Sequence, residues 1–180
     1  HASQWPLVVG FHGSGGSANG TVNLLQARAD TYGFVLVAID SRMNSWDATT
    51  YGDYGQDIAV INRSLVTVFD KVNADPAKII LEGFSDGATY ALGVGITNGD
   101  LFTMMVAFSP GFLLPREPHG TPVIFESHGT QDTVLPIDTT SRTIVPILRA
   151  EGYTVDYFEF DGPHTVPTAI GDQAVAWAVA

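Results

Sequence analysis

The chain has 180 residues, 45% of them hydrophobic, with 19 acidic side chains against 8 basic ones and a formal net charge of −11; it falls in the size range of one domain able to bury roughly two thirds of its unfolded surface. A surplus of that sign repels phosphate backbones and anionic lipid, which argues against nucleic acid as a partner and reads as a solvated acidic surface. There is no cysteine, which removes disulfides, thiolate chemistry and cysteine-based zinc sites, and the longest apolar runs fall far short of the ~20 residues of a membrane span.

The first residue is His rather than Met, so a processed or recombinant start is expected, one compatible with a removed signal peptide. The first apolar run, residues 6–11, is predicted to be a strand, and the cluster Gly13-Ser14-Gly15-Gly16-Ser17 after it a turn. A second strand is predicted at 34–39. Residues 57–69 place Ile58, Ile61, Leu65 and Phe69 on one helical face. A third strand at 78–83 runs through Gly83-Phe84-Ser85-Asp86-Gly87 into a helix over 88–96. Strands at 104–108 and 122–126 are separated by a Pro-rich turn at 115–120; helical spacing then covers 137–150, a sixth strand 155–160, and a last helix 165–180. Several of these strands have the continuous hydrophobicity of a parallel sheet covered on both faces. The alternation predicts a single α/β domain over 1–180, with about six mostly parallel strands and helices on both sides. Ligands of such sheets bind beyond the carboxyl ends of the strands.

Ser85 is the expected nucleophile. A serine between a strand and a helix sits on a tight turn that pushes its hydroxyl outward, and flanking glycines are needed because larger side chains would collide with the neighbouring strand and helix. The same turn puts the amide of Asp86 at a helix N-terminus, where an unpaired N–H and the helix dipole favour negative charge. Acyl transfer develops a negative oxygen that needs two backbone donors. His12-Gly13-Ser14-Gly15-Gly16, directly after the first strand, can supply the second through the amide of Ser14; the Lys-Ser/Thr of a phosphate-binding loop is absent from it.

A serine hydroxyl requires a base, and the base an orienting group. Of five histidines, His164 in Asp161-Gly162-Pro163-His164 lies just past the last strand, where a base at that sheet edge is expected. His12 and His128 stand beside glycines at strand ends and are expected to bond loop backbone; His119 is in the Pro-rich turn and His1 is terminal. Asp132, in the loop after the fifth strand, is the expected orienting carboxylate. Its rivals are Asp138, read as an N-terminal acid of the next helix, and Asp161, read as a strand terminator. Trp46, Phe112 and Val134 follow strands and are expected to wall a substrate pocket, with Arg42 and Asn44 beside them.

These blocks together, Leu7 to Ala18, Tyr32 to Asp40, Ile79 to Gly87, His128 to Asp132 and Pro163-His164, resemble the α/β-hydrolase serine esterases. They are most similar to the carboxylesterase/phospholipase group and to esterases related to polyhydroxybutyrate depolymerases and feruloyl esterases. The resemblance implies Ser85, Asp132 and His164 as a catalytic triad, in the chain order of that fold, with the amides of Ser14 and Asp86 as oxyanion hole. It also implies hydrolysis of short-chain carboxylic esters, with a small-molecule ester as partner and no metal or organic cofactor. The same triad serves thioesterases, feruloyl or polyester esterases and peptidases, and a non-catalytic binding protein on this fold is the remote alternative. The chain departs from its relatives in lacking cysteines, in having Gly87-Ala88 where many have Gly-Gly, and in lacking the usual first two strands and any lid. An open site is therefore expected. Because the base must be neutral, activity is expected to rise with pH near the ~6.5 of free imidazole.

Overall fold

The computed structural model describes residues 3–180; His1 lies outside them. Six strands form one parallel sheet: β1 (Trp5–Phe11), β2 (Val35–Ile39), β3 (Ala74–Phe84), β4 (Met104–Phe108), β5 (Val123–Gly129) and β6 (Val155–Phe160), in the spatial order β2-β1-β3-β4-β5-β6. The order changes direction at β1, so β1 and β3 end side by side and open a crevice at their carboxyl ends, as parallel sheets do at such a point. All six expected strands are present, with β3 starting earlier than its apolar stretch suggests.

Alternation along each strand divides the core between the two faces. Leu7, Val9 and Phe11 of β1 pack with Ile79, Leu81 and Met105 beneath the helices α2 (Asp47–Tyr51), α3 (Gln56–Phe69), α4 (Asp86–Thr97) and α5 (Ser141–Ala150). Val8, Ile80, Val106, Phe108 and Phe125 face the other way, against α1 (Ala18–Tyr32) and α6 (Thr168–Val179). Helix α4 is buried almost all round, which explains its uninterrupted run of small and apolar residues. In α3, Ile61 and Leu65 reach the core as the periodicity predicts, but Phe69, at the last turn, is 40% exposed.

Two helices escape the sequence reading. Helix α1 buries only Thr21 and Leu25, and so weak a stripe leaves little periodicity to detect. Its start is set by another part of the chain. The amide of Ala18 donates to Asp40 Oδ1 at 2.7 Å, satisfying one of the helix's orphan donors, and Gly33 ends it in the left-handed conformation at φ 72°. Helix α2 is a single short turn anchored by Ala48. The region expected as one helix over 137–150 divides into a 3-10 turn, Ile137–Thr139, and α5.

Candidate active site

Gly83 and Gly87 allow the turn at the end of β3. A Cβ on Gly83 would lie 2.1 Å from the carbonyl oxygen of Gly87, and a Cβ on Gly87 would lie 2.1 Å from that of Phe11 in β1. The first contact is with the start of α4 and the second with the neighbouring strand, so backbone passes where side chains would be. Ser85 between them has φ 57° and ψ −121°, a region that side-chain-bearing residues rarely occupy. The turn aims its hydroxyl at the crevice between β1 and β3.

Three residues from three loops meet there. The Ser85 hydroxyl and His164 Nε2 are 2.9 Å apart, and His164 Nδ1 donates to Asp132 Oδ2 at 2.6 Å. Phe84 packs against the imidazole, ring centroids 4.8 Å apart. The other carboxylate oxygen, Oδ1, accepts the amides of Val134 at 2.9 Å and Leu135 at 2.7 Å. Burial pushes the Asp132 carboxyl upward, but these amides and His164 outweigh it and hold the group below the ordinary carboxylate range. An ionised carboxylate bonded to Nδ1–H fixes the tautomer that leaves Nε2 free to accept a proton.

The rival acids lie elsewhere. Asp138 pairs with Arg142 at 2.7 Å on the surface, and Asp161 follows the end of β6 and accepts from Gln131. His12 bonds loop backbone as expected, through Gly13 O and the amide of Ser41.

The glycine-rich loop comes close to the serine: a Cβ on Gly13 would be 3.3 Å from Ser85 Cβ. Asp86 is the first residue of α4, ahead of any intrahelical acceptor for its N–H. The loop after β2 holds the glycine loop in place. Trp46 Nε1 donates to His12 O at 2.8 Å, the amide of Gly15 to Asn44 O at 2.8 Å, and Ser45 Oγ to Asp86 Oδ2 at 2.6 Å. That loop is itself gripped by the buried carboxylate of Asp57, which accepts the amides of Arg42 and Asp47.

Of the expected pocket walls, Trp46 needs correction. Trp46 is fully buried and stacks on Tyr90, centroids 4.8 Å apart; its large apolar surface is used in the core and its N–H supports the glycine loop, so it does not touch the crevice. Phe112 and Val134 are exposed, at 45% and 64%. Neither lines the cavity of about 390 Å³ that lies on the α1 side of His164 among Leu24, Phe84, Val166, Thr21 and Glu82.

Two residues near the site have no catalytic role expected from the sequence. His128, fully buried, has Nε2 2.7 Å from Leu135 O and 3.1 Å from Asp132 Oδ2, and Nδ1 2.7 Å from Ser141 Oγ. Only an Nε2–H can satisfy the carbonyl, and burial lowers the imidazole's affinity for a second proton. Glu82, on β3, is buried with its carboxyl unpartnered. Among the described residues no cluster of three His, Asp or Glu side chains is placed to hold a metal ion, and no helix is long and apolar enough to cross a membrane.

A six-stranded parallel sheet covered on both faces, with a serine on a strained turn between strand and helix, is the α/β-hydrolase fold, and this chain has it. Neither a family model nor a curated protein matches the sequence. Solved structures do. Esterase PE8 is 25% identical over 98% of this chain and 92% of its own, with a TM-score of 0.77. A Bacillus cereus carboxylesterase is 16% identical over 98% and 91%, with a TM-score of 0.72, and the S-formylglutathione hydrolase FrmB of Staphylococcus aureus is 14% identical over 100% and 83%, with a TM-score of 0.78.

Proposed function

We propose that the protein is a serine carboxylesterase acting as one domain over residues 1–180 and hydrolysing short-chain carboxylic esters through an acyl-enzyme. The observation that carries this reading is the pair of bonds at His164, to Ser85 Oγ on one side and Asp132 Oδ2 on the other. The structural neighbours named as esterases or hydrolases agree with it.

In this mechanism Ser85 Oγ attacks the ester carbonyl as His164 Nε2 takes its proton; the amides of Ser14 and Asp86 receive the developing oxyanion, and the imidazolium protonates the departing alcohol. Water then attacks the acyl-enzyme by the same route and releases the acid. Asp132 stays ionised throughout. Hydrolysis falls on the acid side, because the base must be unprotonated to act.

A fluorophosphonate probe tests the nucleophile: one adduct is expected, on Ser85, and none on Ser85→Ala. Labelling elsewhere, or p-nitrophenyl acetate hydrolysis by Ser85→Ala at the wild-type rate, overturns the proposal. Matched thioester, feruloyl, polyester and peptide substrates with the same control rank the acyl bonds this serine cleaves.

A further inference from the structure

The buried carboxyl of Glu82 is unlike the other acids of this chain's site. It is 2% exposed and has no hydrogen-bond or ion-pair partner among the described residues, and it lines the cavity of about 390 Å³ beside His164. That volume lies within the range of small-molecule pockets, about 300–1,000 Å³. The neighbouring strand makes room for it: a Cβ on Gly10 would stand 2.8 Å from Glu82 Oε2 and 2.3 Å from Thr21 Cγ2. The mouth of the cavity is formed by the exposed residues Ser14, Gly20 and Thr165, and its walls include Leu24, Phe84 and Val166. Native proteins seldom leave a buried polar group without a partner, and one facing a cavity is most simply satisfied by what enters that cavity. Glu126 is likewise buried, but Ser141 and Arg149 act on its carboxyl, and it lies on the opposite face of the sheet and does not line this space.

We infer that this cavity receives the alcohol arm of the ester and that Glu82 hydrogen-bonds a neutral hydroxyl on that arm, which makes monoesters of short diols or polyols the favoured substrate class. The inference rests on the esterase reading above. His164 must deliver a proton to the leaving oxygen, so the substrate atoms beside its imidazole belong to the alcohol. The walls suit methylene groups, and the floor supplies one polar contact. Burial pushes the Glu82 carboxyl up to about 8, with no cation against it; near neutral pH it is protonated and both donates and accepts, as a hydroxyl does.

The test is a series of ω-hydroxyalkyl acetates with three to six carbons in the alcohol, each compared with the n-alkyl acetate of equal heavy-atom count. The expected result is a ratio of kcat/KM that favours the hydroxylated ester about fivefold at one chain length. This ratio falls to about one in Glu82→Leu and stays within about twofold of wild type in Glu82→Gln, which still donates and accepts. Being a ratio on the same preparation, it does not depend on the folded fraction. Should Glu82→Leu fail to fold, Leu24→Trp, which fills the cavity, is expected to remove the preference instead. Equal ratios in wild type and Glu82→Leu, or a preference for an ω-trimethylammonio ester, overturn the inference while the esterase reading stands. Failure of that reading shows separately, as undiminished hydrolysis by Ser85→Ala. Binding of the diol to the Ser85→Ala protein, followed by NMR, then decides the inference alone: binding lost on adding Glu82→Leu supports it, and no binding overturns it.

Discussion

His128 and Asp132 are both buried, and His128 Nε2 lies 3.1 Å from the carboxylate oxygen that also holds His164 Nδ1 at 2.6 Å. That oxygen thus has an imidazole nitrogen on each side, the Nε2–H of His128 being given to Leu135 O, while Oδ1 is fixed by two amides. His128 acts on the site through Asp132 and is a positioning residue. His128→Ala is expected to lower kcat about tenfold, equivalent to ~1.4 kcal/mol of lost positioning, with KM within about twofold. Rates normalised to fluorophosphonate-titrated sites check it, because an effect on folding alone would leave kcat per labelled site unchanged.

Gly87→Ala and Gly83→Ala are expected to cost on the order of 3 kcal/mol or more, since each new Cβ would meet backbone at 2.1 Å and backbone cannot step aside as a side chain can. Gly20, within α1, has open space around it. Gly20→Ala should therefore stabilise the protein by about 0.5–1 kcal/mol through helix propensity alone. Urea unfolding of the three variants measures both signs in one experiment.

Ser85 holds a positive φ of 57°. Ser85→Ala and Ser85→Gly should both abolish labelling, but Ser85→Gly should unfold later than Ser85→Ala by about 1 kcal/mol, because glycine accepts this backbone without strain. Equal stabilities of the two variants would show that the turn stores no such energy.

Stability should pass through a maximum at mildly acidic pH. Burial raises the Glu82 and Glu126 carboxyls from 4.5 to about 8 each; both states of the protein bind these protons below pH 4.5, but between 4.5 and 8 the unfolded chain ionises first, so stability falls as pH rises through that window. Asp132 and His128 are shifted downward, so their contributions are lost as pH falls. Chemical denaturation from pH 3.5 to 8.5 should show the fall on the alkaline side. It should flatten in Glu82→Gln and Glu126→Gln, which cannot ionise; an unchanged slope in both would refute the assignment.

Much of the fold was legible from local pattern. Buried strands such as 6–11 and 104–108 are apolar on both faces, and Gly83, Ser85 and Gly87 mark a turn whose steric demands act over five residues. Ser85, His164 and Asp132 could be singled out because each follows a strand, and a parallel sheet delivers the ends of its strands to one edge. Helix α1 was not legible: its start depends on Asp40, far along the chain, and its buried stripe is only Thr21 and Leu25.

By itself, the sequence determined the order of the six strands, the tight serine turn and the absence of any thiol chemistry, because these follow from periodicity, glycine sterics and composition. Only the tertiary structure decided that Trp46 belongs to the core, that His128 joins His164 at Asp132, and that Glu82 faces a cavity. Those facts are set by contacts between residues far apart in the chain. A tryptophan, histidine or glutamate at a strand end carries no local mark of which neighbour the fold will bring to it.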